Sequence, residues 1–172
     1  MLAQTLETTL AEFFEDGTIQ DATIATNDTQ RAEMWARREA AADVMLLHSP
    51  TIHNDVAVPL HHMQELLDSI EGIFARLDPG AIDASVAHLG DGNLHLTCWP
   101  KSADPALHAK IHAEIEDKVM ALGGSFSAEH GIGLEKRGSM ARYKDPAALT
   151  TMRVIKTSLD PNDIMNPGKV LP

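Results

Sequence analysis

The chain has 172 residues, with 14 Lys and Arg against 25 Asp and Glu, and a formal net charge of −11. That length supports one domain, or one lobe of a larger enzyme, with a genuine core; a hydrophobic fraction of 44% and a charged fraction of 23% are those of an ordinary soluble globular protein. The acidic balance and scarce aromatics argue against a nucleic-acid partner, the single cysteine, Cys98, excludes a disulfide framework or a cysteine-based zinc site, and no apolar run approaches the roughly 20 residues of a membrane span.

The expected organisation is one compact unit over residues 1–172. Residues 1–14 carry acidic groups and no Lys or Arg, unlike a signal or transit peptide, so a cytoplasmic location is expected. Leu2, Leu6, Leu10, Phe13 and Phe14 share one helical face, and Gly17 stops that helix. A short strand is expected over 19–25. Asn27, with Gln30 three residues on, forms a capping-box arrangement that opens a helix through about Met45.

The middle of the chain is the most legible. Ile52, Asn54, Val56 and Val58 alternate with His53, Asp55 and Ala57, as in a strand, and Pro59 suits the first position of a helix carrying Leu60, Met63, Leu67, Ile70, Phe74 and Leu77. Strand-like runs follow over 82–89 and 93–99. Asp104-Pro105 caps a helix with Leu107, Ile111, Ile115, Val119 and Leu122, Gly123-Gly124 closes it, and a last short strand covers 125–128. The order β-α-β-β-α-β predicts an α+β fold, a ferredoxin-like antiparallel sheet with helices on one face. An N-terminal helix-strand-helix precedes it. A helix opened by Asp145-Pro146 and an extended tail from residue 160 follow it.

Nine histidines outnumber all the aromatics, and two motifs concentrate them with chemistry. In HLGDGNLH at 88–95, Asp91-Gly92 reads as a two-residue hairpin turn. That turn opposes Gly90 to Asn93, Leu89 to Leu94 and His88 to His95, making the two imidazoles cross-strand partners on one face. Asn93 and Thr97 share that face, where they are expected to meet substrate; Ala87, Leu89, Leu94 and Leu96 point to the core. Paired imidazoles beside an asparagine suit a divalent metal, although two histidines flanking a solvated hairpin would satisfy the same pattern. The second motif, SAEHGIG at 127–133, adds Glu129 as a third ligand and His130 as a titratable group nearby. Two His and one Glu leave coordination positions open, as catalytic sites do. No HExxH, GxGxxG or GxxxxGK[ST] occurs.

With HLGDGNLH at 88–95, SAEHGIGLEKR at 127–137 and LDPNDIMNPGK at 159–169, the chain resembles the C-terminal domain of FAD-linked oxidases, the flavin-dependent D-2-hydroxy acid dehydrogenases. The likeness is greatest to D-2-hydroxyglutarate dehydrogenases. It implies that His88, His95 and Glu129 bind a divalent metal, zinc or manganese, and that His130 is the catalytic base. It implies a substrate-carboxylate contact for Arg38 and an approach of Asn166 to the flavin. Position 53, where hydroxyglutarate-specific relatives present a lysine for the distal carboxylate, is His53 here, and Ala42 replaces a threonine, so a different, less anionic 2-hydroxy acid is expected. The family's FAD-binding module is absent from these residues. The isolated chain is therefore expected to hold no stoichiometric FAD, to be inactive alone, and to expose apolar surface that favours self-association. A free-standing metal-dependent hydrolase and a non-catalytic subunit that kept the fold are the alternatives.

Overall fold

The structure is a computed structural model that describes residues 2–44, 48–88 and 90–172. Met45 and Leu89, and the side chain of Ala42, lie outside the described residues, so the expected end of the second helix and the core position of Leu89 have no counterpart here. The chain divides into two compact units, Met1–Leu47 and His48–Pro172.

The first unit contains α1 (Leu2–Glu15), α2 (Asp28–Glu39) and the short α3 (Ala41–Val44). The α1 boundaries match the apolar spacing and the stop at Gly17, yet no residue of α1 is buried. The Asn27 cap is present: its Oδ1 accepts the Gln30 N–H at 2.9 Å, and Gln30 Oε1 turns back to accept the N–H and hydroxyl of Thr26. The strand expected over 19–25 is not formed. A strand needs a neighbour to satisfy its backbone groups, and the described residues of this unit hold no other extended segment hydrogen-bonded to it.

The second unit is an antiparallel sheet of β1 (Ile52–Ala57), β2 (Ile82–His88) and β3 (Asn93–Trp99), in the order β1-β3-β2. Pro59 does not begin an α-helix as expected. Its extended ψ of 136° makes it the cap of a 3-10 turn, Leu60–His62, that leads into α4 (Met63–Leu77). Asp104 caps α5 (Pro105–Ala121) by accepting the Ala106 N–H at 2.9 Å. The α+β class stands, but the fourth strand of the ferredoxin-like pattern shrinks to a single antiparallel bridge between Ala57 and Ser125 on the outer edge of β1. An unpredicted helix, α6 (Arg137–Tyr143), comes before α7 (Pro146–Leu159).

Alternation along the strands sorts side chains onto two faces. Val56, Leu94, Leu96 and Cys98 face a core completed by Leu66 of α4 and by Ile111, Ile115 and Val119 of α5, all under 3% exposed. Each such Val, Leu or Ile side chain contributes about 1.5–3 kcal/mol by leaving water. This burial holds the sheet against its two helices and leaves His53, Asp55, Asn93, His95 and Thr97 on the opposite face. A smaller cluster of Phe126, Met140 and Leu149 anchors α6 and α7. Among the described residues, no helix is long and apolar enough to cross a membrane.

Candidate metal and substrate site

The hairpin differs in register from the expectation. His88 opposes Asn93 and Val86 opposes His95, so four residues separate the strands and not two. Of Asp91 and Gly92 only the glycine has positive φ, +78°. The Asp91 N–H closes the turn on the His88 carbonyl at 3.2 Å, and the Gly92 carbonyl accepts the Val58 N–H at 3.1 Å. The shift is two residues, an even number, and side chains repeat every two, so His88 and His95 stay on one face as diagonal neighbours. Their rings meet edge to face with centroids 5.4 Å apart.

Glu129 reaches this pair from the segment after the Ser125 bridge. Its Oε1 lies 2.7 Å from His95 Nε2 and 3.7 Å from His88 Nε2. His130 stacks on His95 with centroids 5.2 Å apart and rings inclined by 17°. The compact group, with one potential ligand atom from each residue and all within 4.8 Å of one another, is Asp55, His95, Glu129 and His130. His88 stands at its margin. Two imidazoles and carboxylates at this spacing fit a divalent cation, and a carboxylate beside the other ring nitrogen, as Asp55 Oδ1 lies 3.4 Å from His95 Nδ1, is a feature such ligands share.

Asp55, which the sequence reading did not select, is the hub. It opposes His95 directly across β1 and β3. Its Oδ2 accepts the backbone N–H groups of His130 at 2.9 Å and Glu129 at 3.1 Å, and Lys136 Nζ stands 3.3 Å away. Burial alone would raise this carboxyl; the His130 and Glu129 N–H groups and the nearby Lys136 ammonium and His130 imidazole outweigh it and hold Asp55 below the ordinary aspartate value. The available signal was its position two residues from His53, on the outward parity of a strand.

The remaining selected residues are placed as follows. His53 and Thr97 are cross-strand partners, and His53 Nδ1 lies 3.1 Å from the Thr97 hydroxyl, so a largely buried Thr97 orients His53. Asn93 is buried with an unpartnered Oδ1 and donates its N–H to Asp91. Asn166 is exposed in the tail with φ of +48°, and it accepts the Lys169 N–H on its carbonyl at 3.2 Å. The tail is tied to the site loop by the Val170 N–H, which donates to the Gly133 carbonyl at 2.9 Å. Arg38 belongs to the first unit, exposed on α2 with Arg31, Met34 and Trp35 around a shallow hollow. Beside the cluster, His53, Asp55, His130, Lys136 and Lys169 line an open cavity of about 440 Å³.

Comparison with known proteins identifies a family. Residues 2–170 match the family described as FAD linked oxidases, C-terminal domain. The chain is 32% identical over 171 residues to the mitochondrial D-2-hydroxyglutarate dehydrogenase of Bos taurus, covering 99% of this chain and 31% of the relative. It is 34% identical over 167 residues to a probable mitochondrial D-2-hydroxyglutarate dehydrogenase of Oryza sativa subsp. indica, covering 97% and 29%. It is 31% identical over 161 residues to a D-2-hydroxyglutarate dehydrogenase of Stutzerimonas stutzeri (strain A1501), covering 91% and 34%. The chain thus spans about a third of the length of the curated relatives it matches. With a family match over nearly its whole length, this chain belongs to the C-terminal domains of the FAD-linked oxidases.

Proposed function

We propose that this chain is the substrate- and metal-binding part of an FAD-dependent dehydrogenase that oxidises a D-2-hydroxy acid to the 2-oxo acid. The observation that carries the reading is the convergence of His95, Glu129 and His130 beside an open cavity. His95 Nε2 and Glu129 Oε1, with His88 Nε2 at the margin, would hold a divalent cation, and this N,N,O donor set suits zinc or manganese. A cation bound there would lower the pKa of a substrate hydroxyl, and a flavin would supply the two-electron acceptor that no side chain can provide.

The chain's own residues account for binding and proton transfer. His130 Nδ1 faces Asp55 Oδ2 at 3.7 Å, which leaves Nε2 to take the substrate's hydroxyl proton. Its ring is well exposed on the cavity side, so the proton can pass on to solvent. Lys169 places positive charge on the cavity for a carboxylate. His53, held by Thr97, is a weaker anion partner than a lysine, which supports a substrate less anionic than hydroxyglutarate.

Metal analysis of the purified chain tests the reading. About one equivalent of divalent metal per chain is expected, with a large loss in His95→Ala and in Glu129→Gln. Equal metal content in all three proteins would overturn it.

A further inference from the structure

Two enclosed polar atoms of the site face each other without a hydrogen bond. Asp55 Oδ1 and His95 Nδ1 are both buried and unpartnered, 3.4 Å apart on directly opposed residues. The other oxygen of that carboxylate is fully engaged by two backbone N–H groups and Lys136. At 5% exposure Asp55 is the buried member of the cluster and meets the cavity only at its inner wall.

The geometry points to Asp55 as a positioning residue for the metal centre proposed above, an inference that rests on that reading. Oδ1 accepts a hydrogen bond from the Nδ1–H of His95, so that Nε2 is the nitrogen offered to the cation. Oδ2 meanwhile fixes the backbone at Glu129 and His130, so that both side chains enter the same space. A neutral imidazole carries one proton, and the nitrogen that keeps it cannot ligate. His95 Nε2 and Glu129 Oε1 converge to 2.7 Å, and a cation held by both would need the Nε2 lone pair, which leaves the proton on Nδ1. A carboxylate accepting a hydrogen bond from that N–H locks the tautomer and makes the ligand more basic. One buried side chain thus sets a strand-borne ligand and a loop-borne pair in mutual register.

Zinc alone, added to the full ¹⁵N-labelled chain, is the probe, read by calorimetry and by the imidazole nitrogen shifts of His95. In the wild type with zinc, His95 is expected to bind through Nε2 and to show a hydrogen-bonded proton on Nδ1. Ligation through Nδ1 would overturn the inference without any variant being made. Asp55→Asn keeps an oxygen for the two backbone N–H groups but turns an amide donor toward His95 Nδ1, which favours the Nε2–H tautomer. Zinc affinity is expected to fall by about 10–100-fold, with the His95 tautomer reversed in the zinc-free variant. Unchanged affinity, or weaker affinity with the tautomer unaltered, would overturn the positioning role. A wild type that takes up no zinc would overturn the metal-centre reading, and the inference with it.

Discussion

The carbonyl oxygen of Val58 occupies the space that a Cβ on Gly92 would need, while the Val58 N–H donates to the Gly92 carbonyl at 3.1 Å. The end of β1 and the hairpin between β2 and β3 are therefore joined backbone to backbone, one residue before Asn93 and three before His95. Only a residue without a side chain permits that approach, and the φ of +78° makes the same demand.

Gly92→Ala is accordingly expected to destabilise the protein by at least about 1–3 kcal/mol, from left-handed backbone strain before the clash is added. A denaturant titration checks it: the midpoint falls with the slope unchanged. A midpoint equal to that of the wild type would show that Val58 and Gly92 can part at no cost.

Cys98 has no exposed surface and lies on the core face of β3. Burial, aided by the negative charges of Asp83 and Asp78, pushes its thiol up to about 12, so the reactive thiolate is scarce at neutral pH. A disulfide reagent is expected to leave the native chain unlabelled over hours and to titrate one thiol promptly once guanidinium unfolds it. Fast labelling of the native chain would contradict this packing of β3.

Asp160 ends α7 and organises the tail. Its Oδ1 accepts the Ile164 N–H at 2.9 Å, its Oδ2 accepts the Met165 N–H at 2.8 Å, and Lys156 pairs with the same carboxylate. The Lys156 ammonium and then the Met165 N–H hold its carboxyl below the usual aspartate value against the opposing effect of burial, with the Ile164 N–H adding to them. Because the folded value is depressed, this contribution is complete above the unfolded value near ~3.9 and is lost as pH falls through the lower folded value. Amide exchange at Ile164 and Met165 should show protection at mildly acidic and neutral pH and its loss in strong acid. Asp160→Ala should remove that protection at every pH. Protection independent of pH in the wild type would exclude the carboxylate as its cause.

Much of the second unit is legible without coordinates because its periodicities are strong. The alternation from Ile52 to Val58, the Asp104 and Asp145 caps and the spacing of Ile111, Ile115 and Val119 all mark their elements within a residue or two. Two weaker readings did not survive. Residues 19–25 have strand-like composition but no partner, and 125–128 pair with β1 at a single bridge. The hairpin register moved because the carbonyl of Gly92 is engaged by Val58, a contact between distant segments to which turn chemistry is blind.

Local pattern alone therefore identified the α+β class, the core faces and the two motifs that hold His88, His95, Glu129 and His130, since the two-residue repeat of a strand preserves a face even when pairing slips by two. Strand order and loop path were needed to reveal that Asp55 lies beside these groups, within reach of His95 Nδ1 and of the N–H groups at Glu129 and His130. An aspartate on an outward strand position normally meets water. This one is buried because the segment after α5 folds back across β1, a long-range contact that no local spacing encodes.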